Sequence, residues 1–148
     1  MATTYQLTIT EKQASVIREA LEAHSRMLGG QFDIVLTDMF RDRWCTGEFD
    51  HDGLAEAHKQ LRRMIFPELS PTSYHGVGNT AYPSADVAWD IMQVLRHRLA
   101  WDRLADQGGE AGIQVQYHKP MKFGSEPLAQ IKTKPERSRD AGTDTEEE

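Results

Sequence analysis

Apolar residues recur at two different periods along this chain, and the points where the period changes divide it into elements. Tyr5 to Ile9 alternates and is rich in β-formers, which predicts a short strand, and Thr10 with Gln13 three residues on makes a capping box that opens a helix directly after it. Within that helix Ile17, Leu21, His24 and Leu28 share one face, and beyond Gly29-Gly30 the same face resumes with Phe32, Val35 and Met39. Each glycine costs a helix about 1 kcal/mol against alanine, so the pair predicts a kink or a break and leaves one helix or two undecided. Residues 45–52, CTGEFDHD, form a turn in which Asp52 is the expected N-cap of a helix carrying Leu54, Ala57, Leu61, Met64 and Ile65 and ended by Pro67.

The connection from Pro67 to Pro83 then runs for 17 residues. Connections of that length are typically functional or disordered, and Tyr74 and Tyr82 favour function. Ser84 is positioned to cap a last helix that reaches about Leu104, and Gly108-Gly109 turns the chain into Gly112 to His118, where alternating Ile113, Val115 and Tyr117 predict a second strand able to pair with Tyr5 to Ile9. A short stretch, Pro120 to Phe123, follows. The expected architecture is α+β: one compact domain over residues 1–123, with three to four helices and a short antiparallel sheet from the N- and C-terminal strands. Residues 124–148 are expected to form a polar, disordered tail.

The last helix departs from a simple amphipathic pattern. Val87, Ile91, Val94, Leu95 and Leu99 fall on one stripe, and Arg98 falls among them with Asp102 one turn further on. A guanidinium so placed needs a partner. Either Asp102 satisfies it in an i,i+4 ion pair, or the two line a pocket where Arg98 meets an anionic ligand and Asp102 orients it. Arg96 and Arg103 lie near Trp89 on the opposite side, a second amphipathic face that suggests a partner subunit and hence a homo-oligomer.

Composition narrows the classes. At 148 residues the length suits a single domain, and no apolar run approaches the roughly 20 residues that span a bilayer, which predicts a soluble protein with no membrane partner. The opening MATTYQLTIT has neither a basic n-region nor a long apolar h-region, so no secretory signal is expected. One cysteine, Cys45, allows no internal disulfide and fits a reducing cytoplasm. The net charge of −6 argues against DNA, because duplex binding depends on many Lys and Arg contacts to phosphate. A small anion remains compatible, since Arg96, Arg98 and Arg103 cluster within eight residues.

Other polar residues carry weaker signals. His24, in mid-stripe, is expected to be a hydrogen-bonded core histidine. Asp50, His51, Asp52 and His58 invite a metal reading, but no recognised ligand spacing such as HExxH is present, and neither metal nor cofactor is expected. No GxSxG, P-loop or dinucleotide fingerprint occurs, and Gly76-Val77-Gly78-Asn79 is too short for one. That loop offers Tyr74 as a stacking ring and Asn79 as an amide for a base edge. Arg26 projects almost opposite Ile17, a solvated position in a monomer and a shared site in a dimer joined through that helix. Arg62-Arg63 and Arg41-Asp42-Arg43 are expected to be surface charges.

Four blocks, LTITEKQASVIREALEAHSRMLGGQFD, SYHGVGN, AWDIMQVLRHRLAWDR and VQYHKPMKFGSEPLAQI, together resemble a family of small phage proteins, the Thoeris anti-defence sponges. The resemblance covers most of residues 5–131. It implies a compact α+β fold, assembly into dimers or hexamers, and sequestration without cleavage of a cyclic ADP-ribose isomer in the cytoplasm of the infected bacterial host. Some members also hold cyclic oligonucleotides of the CBASS system. The family's arginine on the first helix matches Arg26, and its late arginine matches Arg98, with Arg96 and Arg103 as competitors. Its aromatic and asparagine contacts fall in or near Tyr74 and Asn79. The expected ligand-binding set is therefore Arg26, Tyr74, Asn79, Arg96, Arg98, Asp102 and Arg103, with no catalytic residue. Two other classes stay open: a nucleotide hydrolase using His51 and His58 with a metal, and an interaction module in which Trp89, Trp101 and the arginines pack on another polypeptide.

Overall fold

The computed structural model describes residues 3–48 and 50–133. Among them the chain forms five α-helices: α1 (Glu11–Leu28), α2 (Phe32–Met39), α3 (Arg41–Cys45), α4 (His51–Ile65) and α5 (Pro83–Gln107), followed by one 3-10 turn at Val115–Tyr117. The capping box forms as the sequence requires. Thr10 Oγ1 accepts from the Gln13 amide at 3.2 Å and Gln13 Oε1 accepts from the Thr10 amide at 2.9 Å, an arrangement whose cap side chain is typically worth about 1 kcal/mol. The double glycine is a break between α1 and α2. Gly30 adopts a left-handed φ of 83°, and a β-carbon there would stand 3.3 Å from the Phe66 ring, so a side chain meets backbone strain and a tight contact.

α1 packs most extensively on α5. Ala14, Leu95 and Leu99 are buried between them, and Ile9, Ile17, Leu21, Ile91 and Ile131 close around this cluster. The helices run antiparallel, because Arg103 near the end of α5 bonds Glu11 at the start of α1 while His24 near the end of α1 meets Ser84 at the start of α5. Where α2, α4 and the following loop meet, the buried Phe66 ring lies 6.0 Å from that of the buried Phe32 and 5.6 Å from that of His75. Arg62, only 6% exposed, locks this corner: Nε donates to Gly30 O at 3.0 Å, Nη1 to Pro71 O, and Nη2 to Asp33 at 3.2 Å. It is an internal clamp rather than the surface charge expected of it.

The expected sheet does not form, and among the described residues the fold is all-helical rather than α+β. Residues 5–9 belong to no strand, with Tyr5 92% and Leu7 72% exposed. In the second segment the amides of Tyr117 and His118 bond back to Gln114 and Val115, closing a local 3-10 turn in place of a ladder, and Ile113 is 92% exposed. Alternation states which side chains share a face but supplies no partner backbone, and a strand exists only when one does.

α5 itself takes the role of a neighbouring strand for the segment after the turn. Gln93 donates to Met121 O at 2.9 Å and accepts from the Met121 amide at 3.4 Å, and the buried Asp90 carboxylate accepts from the Phe123 and Gly124 amides at 2.9 and 2.8 Å. Gly124 lies so close to the backbone of Asp86 and Val87 that a β-carbon would stand 3.0 Å from Val87 N. Residues 124–133, the beginning of the expected tail, thus start on α5 and bring Ile131 against the core, while 134–148 lie outside the described residues. Two helix starts also differ from expectation. Asp50, not Asp52, caps α4 by accepting from Gly53 N at 2.9 Å, and α5 begins at Pro83, whose missing N–H costs nothing in the first turn.

Candidate functional site

Arg18, Glu22 and Arg26 follow one another at i,i+4 spacing, which stacks them along one face of α1. Opposite them stand Val35, Asp38 and Met39 of α2 with Arg41 of α3, and the space between is a cleft of about 420 Å³. The Glu22 carboxylate bridges its two arginine neighbours. Its Oε1 accepts from Arg26 Nε at 3.0 Å and Nη2 at 2.8 Å, and its Oε2 accepts from Arg18 Nη1 at 3.4 Å. Arg26 is fixed twice more: Nη1 donates to Gln31 Oε1 at 2.6 Å, and its guanidinium carbon lies 5.5 Å from the centroid of the Trp89 ring on α5. A guanidinium over an indole keeps its edge donors available while its face is covered.

Arg96 joins this group from α5. Burial pushes its guanidinium below the usual range, and the nearby Glu22 opposes that while Arg18 and Arg26 add to it. Its Nε is buried and has no hydrogen-bond partner among the described residues. Two guanidinium groups therefore share one carboxylate, a third carries its charge nearby, and a buried donor of that third group is left over. Arg18 has a second partner in the exposed Glu19 at 2.9 Å, and Arg41 is paired with Asp38 at 2.7 Å on the far wall. Such an arrangement can accept a polyanion flanked by an aromatic ring.

Of the seven expected ligand contacts, Arg26 lines the cleft, and Arg96 lies within electrostatic reach of Arg26 without lining the cleft. Arg98, Asp102 and Arg103 lie further along α5, towards the other end of the α1–α5 pair. Arg98 and Asp102 form the internal ion pair at 2.9 Å, with Arg98 also donating to Thr133 at 3.3 Å. Arg103 bonds Glu11 at 2.7 Å and Ser15 at 2.9 Å, tying the helices together. Tyr74 and Asn79 are exposed on the long loop, which is pinned to the glycine break by His75 N on Gly29 O at 2.8 Å, and neither lines the cleft. Sequence reasoning missed Arg18, Glu22, Gln31 and Arg41. The signal was present for the first two in their i,i+4 register with Arg26.

The histidines separate. His24 is exposed rather than in the core, its Nε2 3.5 Å from Ser84 Oγ. His51 meets Trp44 edge-on, with ring centroids 4.2 Å apart, and is exposed. His58 is buried beside a shallow hollow of about 330 Å³ that Asp33, Thr37 and Trp44 also line. Burial lowers its pKa, with the Asp33 charge opposing and Arg62 adding to the effect. Among the described residues no group of three or more His, Cys, Asp or Glu side chains is placed to hold a metal ion. Cys45 is exposed, and no helix of the described residues is long and apolar enough to cross a membrane. No family model matches the chain, nor does any curated protein or solved structure.

Proposed function

We propose that this chain binds a phosphorylated nucleotide in the cleft between α1 and α2 and holds it without cleaving it. The observation that carries the reading is the excess of positive charge along this wall of the cleft: Arg18 and Arg26 share Glu22, Arg96 adds its charge from behind them, and only Glu22 and the exposed Glu19 oppose the three. Phosphoryl oxygens supply acceptors for the guanidinium donors that line the cleft, those of Arg18, Arg26 and Arg41. The resemblance to the Thoeris anti-defence sponges makes a cyclic ADP-ribose isomer the ligand class and the cytoplasm of an infected bacterium the place of action. The cleft is walled by helices on one side, and a second copy of the chain in a homo-oligomer would cover the other and slow release.

The test is retention. The purified chain is incubated with a panel of cyclic ADP-ribose isomers and cyclic di- and trinucleotides, filtered, and heat-denatured, and both fractions are assayed by mass spectrometry. One ligand should leave the filtrate and return intact on denaturation, and Arg26→Ala should abolish its capture while the helical circular dichroism persists. A cleaved product would make the chain an enzyme, and undiminished capture by Arg26→Ala and Arg96→Ala would move the site elsewhere.

A further inference from the structure

We propose that Glu22 is a resident counterion that stands where a phosphoryl group of the ligand binds and must be displaced by it. The inference rests on reading the cleft as an anion site. A carboxylate presents two oxygens on one carbon much as a phosphoryl group presents oxygens on phosphorus, and Glu22 uses both: one against two nitrogens of Arg26, the other against Arg18. The carboxylate is borne on α1 itself, one turn from each arginine, so it occupies the site at no cost in bringing a second molecule to it.

The partners of Arg26 show that it does not depend on Glu22 for its position. Nη1 is held by Gln31 and the guanidinium lies over Trp89, so the edge bearing Nε and Nη2 would keep facing the cleft after Glu22 swings away. Glu22 has a route out, since its side chain is 23% exposed. The cluster is also short of negative charge, because Arg18, Arg26 and Arg96 carry three positive charges against Glu22 and the exposed Glu19. A diphosphate brings at least two charges and more acceptor oxygens than Glu22. The consequence is selectivity: a simple monoanion cannot outcompete a tethered carboxylate, and a diphosphate can.

The experiment titrates inorganic pyrophosphate, and separately acetate, into the full-length wild type and Glu22→Gln by calorimetry at fixed ionic strength. Glu22→Gln keeps the size of the side chain and removes its charge. Pyrophosphate should bind the variant about tenfold or more tighter than the wild type, the scale of one charge-assisted hydrogen-bonded contact no longer in competition. Acetate should bind only the variant. The Nε–H resonances of arginine, followed by NMR, should show wild-type Arg26 exchanging Glu22 for pyrophosphate, a readout that holds even if the variant loses helicity. Equal or weaker pyrophosphate binding by a folded Glu22→Gln overturns the counterion role, and if a nucleotide is still captured the anion-site reading survives that result. Loss of both pyrophosphate binding and nucleotide capture from wild type and variant overturns the two together.

Discussion

The two ends of the α1–α5 pair use arginine to opposite effect. At one end Arg103 bonds Glu11 and Ser15 across the helix pair, while Arg98 pairs with Asp102 within α5 and reaches Thr133. At the other, Arg18 and Arg26 share Glu22, and Arg96 lies nearby with its buried Nε unmet among the described residues. An arginine whose donors are answered by its own chain contributes to scaffold. A group of arginines that carries more positive charge than its carboxylates answer is what the proposed anion site calls for. The lesson is that arginine density along α5 misleads: Arg96, Arg98 and Arg103 are neighbours in sequence, and only Arg96 faces the cluster on α1.

The sharpest break of this comparison exchanges the two ends. Arg26→Ala should reduce nucleotide capture by about 100-fold or more, since two charge-assisted contacts are lost together. Arg103→Ala should leave capture within about twofold and cost no more than about 1 kcal/mol of stability, as expected of an exposed ion pair. Equilibrium dialysis with the retained ligand and urea denaturation of each variant measure the two effects. Equal losses of capture would erase the distinction between the ends.

The same contrast explains what could be read from the sequence. The capping box at Thr10 and the course of α4 depend on residues close in sequence, and local spacing is sufficient to see them, whereas the double glycine left one helix or two undecided and the i,i+4 spacing left Arg98–Asp102 open between an ion pair and a ligand pocket. The partners of Asp90 and Gln93 lie 28 to 34 residues away, at Met121, Phe123 and Gly124, so nothing near them in sequence says that two polar side chains on α5 will be buried and satisfied. The strands failed for the same reason, because pairing is a long-range event. Arg26 was visible, but its approach to Trp89 exists only once α1 and α5 lie antiparallel.

Arg62 sharpens the comparison from within the scaffold, being buried and bonded to three partners, Gly30, Pro71 and Asp33. Replacing it by methionine keeps the packing of the stem and removes three donors, leaving Gly30 O and Pro71 O without them. A loss of about 3 kcal/mol is expected, in the range for breaking a buried charged network, with the urea midpoint falling and its slope unchanged. If stability changes by less than about 1 kcal/mol, Arg62 is not the clamp of the α1–α2 corner.

His58, beside Arg62 on the same face of α4, gives the smallest and most specific effect. Burial holds its folded-state pKa below the ordinary value near 6.5, despite the Asp33 carboxylate, and the positive charge of Arg62 acts in the same direction as burial. The unfolded chain therefore takes up a proton at higher pH than the folded one. The neutral form stabilises the fold in full above about pH 6.5, and that stability is lost as the pH falls from there through the lowered folded value. Removing the ionisable ring while keeping an apolar group, as in His58→Leu, should flatten this part of the pH dependence without touching the cleft on α1. Urea midpoints at pH 7.5 and 5.5 should therefore differ more for the wild type than for the variant. Equal differences would mean that His58 is protonated alike in both states and that its burial carries no linkage to folding.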